Sequence, residues 1–368
     1  MIKVIAQKRL TALLLTMLLG LIILSGCGRE ETKTKTQPGA KSQNPPSEMS
    51  VWGLTRLRAS GLDQTLFAEF SKKYNCKINL HLFDTLPDLL DSLAHIDSTQ
   101  TGSCDLIMNL DSSFTSNEET RALFSPLPEI STLQLSRDLI LDPQKRLIPY
   151  GYANLGVIFN TRQFPKGPES FGELQDARYF RQLGICDPKT SGVGRSTLYW
   201  SLALFGARGY EYLWKSVRKN VQEVYSDYES GLAALKNGKI SMLIGYNTTP
   251  AWLEESQQTD KSFQYSMLKE GAWQYSELAG VPLRSTRPAM AAAFIKYLTE
   301  PEAQLMIIYK LGLFPANSKT MLPIRFARIP ISSFVVNRRL SEAQIQAGLP
   351  VWLEFWDELF SNRYPAFD

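Results

Sequence analysis

The feature that most limits what this chain can fold into is an alternation of short apolar runs with helical patterns. Met49 to Leu54 alternates like a strand, Asp63 to Tyr74 places Leu66, Phe67 and Phe70 at helical spacing, and Lys77 to Phe83 alternates again through Ile78, Leu80 and Leu82. Leu86 to Ile96 returns to helical spacing behind Thr85, with Asp88 three residues on in the position of a capping partner. Cys104 to Leu110 then reads as another buried strand. Strand, helix, strand, helix, strand in that order predicts a parallel sheet with crossover helices. It also puts the Asp111-Ser112-Ser113 turn at the carboxyl end of a strand, where open α/β sheets bind ligands.

A second unit follows. Leu147 to Asn160 is a long extended stretch able to cross between two lobes, which makes it a hinge. Beyond it, Leu183 to Cys186 and Ile240 to Tyr246 read as strands, and Phe171 to Leu174 starts a helix. Ser196 to Phe205, Tyr210 to Val217 and Ser230 to Lys236 read as helices. Ser276 to Leu283 reads as the return crossing, followed by helices at Pro288 to Leu298, Pro301 to Leu311 and Ser341 to Phe360 that are expected to dock on the first lobe. The expected organisation is a discontinuous lobe 1 from 48–150 and 280–368, with lobe 2 at 151–279.

The first 27 residues have a different character. Lys3, Lys8 and Arg9 precede a nearly unbroken apolar run from Leu10 to Leu24, which ends in Ser25-Gly26-Cys27. Charged, apolar, then small residues is the layout of a signal peptide at 1–27, and the run is shorter than the roughly 20 apolar residues that a spanning helix needs. An uncleaved anchor and a chance cysteine are the competing readings. Leu24-Ser25-Gly26-Cys27 resembles the bacterial lipobox, which implies cleavage before Cys27 and its acylation. Two or three acyl chains hold a protein to a bilayer where one does so only marginally. Residues 28–47 are polar, with Lys, Thr, Glu, Gln, Pro and Ser and no aromatic or branched aliphatic side chain, and are expected to form a tether. About 20 such residues reach roughly 25 Å.

Charge and cysteine content narrow the function. The 40 basic and 36 acidic residues nearly cancel, and three of the basic ones lie in the leader, so nucleic acid is not an expected partner. Cys76, Cys104 and Cys186 show no paired spacing, which argues against a disulfide framework and a zinc site. His81 and His95 are the only histidines and both lie in the first lobe, so nucleophilic triads built on a distant histidine are not available elsewhere. A hydrolase with Ser191 or Ser196 as nucleophile is the alternative from a different class, and no activating motif accompanies either serine.

Two segments carry groups suited to a ligand. Asp187 to Gly194 leads from a strand into a helix with Thr190, Ser191, Gly192 and Gly194, a layout that fits either an anion site or an ordinary strand-to-helix turn. Gly245 to Trp252 brings Tyr246, Asn247, Thr248, Thr249 and Trp252 to another strand end, a mixture suited to a flat, partly polar or cationic ligand. Tyr228 and Trp273 are further aromatic candidates, with core packing as the competing role for each.

The segments DPKTSGVGRSTLYW, GYNTTPAW, KEGAWQYSELAGVPL, GLFPAN, VWLEFWDEL, CDLIMNLDSS and IPYGYANLGVIFN together resemble the thiamine-binding proteins of bacterial ABC importers, collinearly from about Ser50 to Ser361. The resemblance implies an α/β, type II periplasmic-binding-protein fold: two α/β lobes, a crossed hinge and an interlobe cleft that closes on thiamine or a thiamine phosphate. It implies no enzyme activity, no cofactor and no metal, a monomer at the periplasmic or extracytoplasmic face, and ABC permease subunits and a lipid bilayer as partners. By position it assigns ligand contacts to Asp111, Ser191, Gly192, Tyr228, Tyr246 and Trp252, with Ser191 and Gly192 at the phosphate side and Asp111 facing the thiazolium or aminopyrimidine; Trp52, Asn247 and Trp273 complete the candidate set from their own chemistry and place in the chain. Two positions depart from the family. Leu54 stands where it has an aromatic, with Trp52 near, and Gly312 or Leu313 where it has a tryptophan, with Phe314 near. Ferric ion, a polyamine or an organic anion are the rival solutes, and the chain lacks the adjacent tyrosine pair of iron-binding relatives.

Overall fold

The chain begins as its pattern predicts. Strands β1 (Ser47–Leu54) and β2 (Cys76–Phe83) pair in parallel, with Val51 opposite Leu80. Between them lie α1 (Arg56–Ala59), a wide helical turn over Asp63–Phe67 and α2 (Ala68–Tyr74). The computed structural model describes residues 47–96, 104–257, 261–332 and 334–360. The expected leader 1–27 with Cys27, and the tether up to residue 46, lie outside the described residues.

Strand alternation sends β1 side chains to two cores. Met49 and Val51 pack with Leu57, Phe67 and Phe70 on one face, and Trp52 packs with Leu86, Leu89 and Leu93 on the other. Those leucines belong to α3 (Leu86–Ala94), whose start is fixed by Thr85: its Oγ1 accepts from the Asp88 N–H (3.3 Å) and donates to the Asp88 carboxylate (2.6 Å). Strand β3 (Leu106–Asp111) is interrupted at Asn109, which takes a left-handed φ of 58° that asparagine tolerates. The register against β9 shifts there, so Leu106 and Met108 face one core while Ile107 and Leu110 face the other. The short α4 (Glu118–Arg121) follows.

Strand β4 (Leu147–Asn160) is the hinge the sequence indicates. Its first half pairs antiparallel with β9, and its second half with β7 and β8. The second unit contains β5 (Leu183–Cys186), α5 (Gly192–Val217), β6 (Val221–Tyr225), α6 (Tyr228–Lys236), β7 (Met242–Tyr246), α7 (Thr249–Glu255) and β8 (Phe263–Ser266). Gly206 breaks α5 with φ 66° and ψ 176°, which separates the two helical patterns visible in the sequence. The helix expected from Phe171 is only a 3-10 turn, Gly172–Gln175. Strand β9 (Gln274–Gly280) is the return crossing, and α8 (Pro288–Leu298), α9 (Pro301–Leu311), β10 (Phe314–Pro315), α10 (Ile324–Ala327) and α11 (Glu342–Phe360) complete the order. Among the described residues the strands run β2-β1-β3-β9-β4-β7-β5-β6, with β8 and β10 beside β4. Two parallel α/β halves thus meet at an antiparallel β4 and β9 pair.

The last helix does not pack where the sequence reading places it. Residues up to 368 are expected on the first lobe, yet α11 lies along α5 of the second. The Trp356 ring meets Trp214 edge-on at 5.1 Å, Phe355 meets Tyr210 at 5.3 Å, and the Tyr210 hydroxyl donates to the Trp352 carbonyl at 3.2 Å. The aromatic stripe of α11 finds its apolar partner there, while Glu342 at the other end is held by Arg121 of the first half (2.8 Å). Truncating a fully buried aromatic leaves a cavity, so Trp356→Ala should lower stability by about 3–5 kcal/mol in urea unfolding. A loss near zero would show that α11 is not part of the cooperative fold.

Candidate functional site

The site is built around a buried carboxylate on the return strand. Glu277 of β9 is fully inaccessible. Its Oε1 accepts from Arg56 Nη1 (2.6 Å) and the Tyr275 hydroxyl (3.0 Å), and its Oε2 from the Tyr150 hydroxyl (2.7 Å) and Asn109 Nδ2 (3.2 Å). Such a charge is tolerable inside a protein because every lone-pair direction meets a donor and one partner is a cation. The bulge at Asn109 makes this possible: its N–H and Nδ2 both reach the Tyr150 hydroxyl, and its Oδ1 accepts from the Leu54 N–H (3.1 Å). Arg56, at the start of α1, is thereby held rigidly. Burial opposes its charge, but Glu277 and then Glu229 outweigh that and push its pKa well above the usual guanidinium value. Arg56 Nε lies 3.5 Å from the Glu229 carboxylate across the space between the halves, yet that buried Nε has no hydrogen-bond partner.

Above this floor is a cavity of about 490 Å³. The first half contributes Leu54, Arg56, Thr85, Asn109 and Asp111, and the second contributes Ser191, Gly192, Asp227, Tyr228, Glu229 and Tyr246, with Tyr275 from the crossing strand. All come from strand ends or the turns that follow them, the place where open α/β sheets present ligand groups. Tyr228, Tyr246 and Tyr275 form a continuous aromatic wall, with ring centres 4.5 and 4.9 Å apart. The Tyr228 hydroxyl is 2.6 Å from Thr249 Oγ1. Burial drives all three phenols upward in pKa, so they stand as neutral faces.

Asp111 is the second buried carboxylate. Its Oδ1 accepts from the Ser113 N–H (2.8 Å), the Phe114 N–H (3.2 Å) and the Ser113 hydroxyl, an Asx-type turn closing on itself. Its other oxygen presses on the start of α5 so closely that a Cβ at position 192 would collide with it, which explains glycine there. Burial raises its pKa, and the Ser113 and Phe114 hydrogen bonds and the Arg195 charge offset only part of that. Arg195 of α5 also lies 4.1 Å over the Phe114 ring, a second contact between the halves.

The structure gathers Asp111, Ser191, Gly192, Tyr228 and Tyr246 around one cavity. It places the other four named residues elsewhere. Trp52 lies two residues deeper than Leu54, covered by α3 and packed against His81 and Phe83. Asn247 ties the hinge strand to the segment after α10, accepting from the Asn154 N–H (3.0 Å) and donating to the Pro330 carbonyl (3.2 Å). Trp252 donates to the Tyr309 carbonyl (2.9 Å) and covers Gly312, the left-handed C-cap of α9. A Cβ at Gly312 would come within 2.8 Å of the indole, so this departure from the family accompanies the ring's position. Trp273 is buried 6.0 Å from Tyr199. The sequence reading passes over Arg56, Glu229, Tyr275 and Glu277. The signal for Glu277 is a lone carboxylate inside the apolar crossing strand, where an ionised group requires partners.

The family model described as bacterial extracellular solute-binding protein matches residues 103–324. A thiamine-binding periplasmic protein of Brucella abortus is 24% identical over 262 residues, 71% of this chain and 77% of that protein. Its counterpart from Haemophilus influenzae is 25% identical over 261 residues, 70% and 73% of the two chains. Among solved structures, a periplasmic thiamin binding protein superposes with a TM-score of 0.76 at 18% identity, covering 86% of this chain and 97% of its own. Iron-bound HitA from Pseudomonas aeruginosa superposes at 0.69 and 15%, covering 84% and 99%. The architecture is the type II periplasmic-binding fold that the resemblance implies.

A carboxyl whose folded pKa exceeds its unfolded value binds more protons when folded, so its contribution to stability falls as pH rises through the interval between the two. Asp111 is in that position. Asparagine retains the acceptor oxygen and removes the charge, so Asp111→Asn should gain stability relative to wild type as pH is raised from about 4 to 8, measured by urea unfolding. A difference that stays flat with pH would show that Asp111 is not held against its ionisation.

Proposed function

The chain belongs to the bacterial extracellular solute-binding proteins, and from that premise we propose that its cleft captures thiamine and presents it for import. The observation that carries this reading is the wall of Tyr228, Tyr246 and Tyr275 lining one cavity together with Asp111 and Glu229. A thiazolium is a flat, permanent cation, and neutral aromatic faces with nearby carboxylates attract it without requiring a proton or a metal. The aminopyrimidine offers donors and acceptors that match Asp111, Ser191 and Asn109. The curated relatives named for thiamine support the same solute.

Capture is a closing of two α/β halves about β4 and β9, with Arg56–Glu229 and Arg195–Phe114 as contacts made between them. The closed surface would then be presented to an ABC permease. Acylated Cys27, with residues 28–47 as tether, would keep the binding unit near that permease on the extracytoplasmic side of the membrane. Ferric ion is the rival that the tyrosines themselves raise. It requires phenolates, whereas Tyr228 and Tyr275 are engaged with Thr249 and Glu277 and burial raises every phenol in the wall. Calorimetry with thiamine tests the reading, and no heat with it or its esters together with a visible charge-transfer band on adding ferric ion would replace it.

Tyr228→Ala should weaken thiamine binding by about 1–3 kcal/mol through lost stacking and cation contact. Trp252→Ala, remote from the cavity, should lower stability and leave thiamine affinity unchanged. The opposite pattern in a titration would move the ligand to the Trp252 side of the second unit.

A further inference from the structure

We infer that Glu229 is a specificity-determining residue that selects the unphosphorylated, cationic form of the ligand by standing where an anion would otherwise reach Arg56. This rests on the thiamine reading of the cleft and adds to it the charge state that the cleft accepts.

Arg56 is the only cationic side chain lining the cavity among the described residues. Its Nη1 is committed to Glu277, which Tyr150, Tyr275 and Asn109 hold in place, so the guanidinium cannot turn to follow a ligand. Its Nε is a buried donor without a hydrogen bond, the natural point of attachment for a phosphate oxygen. The Glu229 carboxylate lies 3.5 Å from that nitrogen. Glu229 is in the first turn of α6, where the helix dipole favours a negative charge, and its side chain is half exposed at the mouth of the cavity. A phosphate approaching Arg56 would have to displace it or share the space with it, and like charges so placed repel.

The second possible anion position, the start of α5, is also taken. Asp111 presses its carboxylate against Gly192. Three nearby hydroxyls already donate, Thr190 to the Ser226 carbonyl (2.7 Å) and Ser226 and Ser230 to the Asp227 carboxylate (2.8 and 2.9 Å), while Ser191 Oγ accepts from the Gly194 N–H (3.4 Å). The turn that the sequence suggests for a phosphate therefore faces a carboxylate instead, and Asp84 and Asp227 add negative charge to the same lining. A thiazolium gains from every one of these groups, and a phosphate ester meets them as obstacles.

Calorimetric titration of the full chain with thiamine, thiamine phosphate and thiamine diphosphate tests this, in wild type and in Glu229→Gln. Wild type should bind each ester at least about tenfold more weakly than thiamine. Glu229→Gln removes the charge from a half-exposed side chain, and should narrow that gap by strengthening the esters while thiamine weakens. Arg56→Lys in the Glu229→Gln background should widen the gap again, because lysine lacks the Nε donor. An ester that binds wild type as tightly as thiamine would overturn the inference and leave the thiamine reading standing. So would a Glu229→Gln change that is equal for all three ligands. No heat with any of the three would remove the thiamine reading and this inference with it.

Discussion

The fold around the cleft depends on one buried carboxylate. Glu277 receives the Tyr150 hydroxyl of the hinge strand, the Asn109 amide of β3, its own strand's Tyr275 and the guanidinium of Arg56. These four groups come from the first half and from both crossing strands, so the interaction fixes where the first half stands relative to the hinge. A buried pair of this kind adds little net stability compared with a packed apolar substitute, but removing one partner costs several kcal/mol. Its value lies in position. Arg56, Tyr275 and Asn109 all line the cavity, and each is oriented by the same carboxylate.

The cavity wall shows a second consequence of burial. Asp111 is kept in a setting that disfavours its charge, and the tyrosines are kept neutral by the same desolvation. A neutral ring presents its face to a cation, and a carboxylate short of solvent gains most from a cation placed beside it. Both effects favour a cation over a neutral or anionic solute, which is the selectivity that the proposed capture requires.

Much of the fold was legible in the chain because it follows from patterning. Thr85 and Asp88 announced a helix start that forms as expected, Leu147 to Asn160 announced a hinge, and two helical patterns separated at Gly206 are separated there in space. The misplacement of α11 has a physical cause, since its aromatic stripe could pair with any apolar face and periodicity does not name the partner. The lining of the candidate cavity was legible at strand ends and the turns after them, as with Asp111, Tyr246 and Ser191. It was illegible where a conspicuous aromatic served packing, as with Trp52 under α3 and Trp252 over Gly312. Arg56 and Glu277 are 221 positions apart, and nothing local in the sequence ties one to the other.

The tyrosine wall carries an optical consequence. The chain has 7 tryptophans, and no tryptophan lines the cavity among the described residues. A solute entering the cleft would therefore not quench an indole by contact. Trp273 sits 6.0 Å from Tyr199 of α5 and is not among the lining residues, which include Tyr228, Tyr246 and Tyr275. Ultraviolet difference absorption of the phenols, rather than indole emission, is therefore the direct optical signal of occupancy.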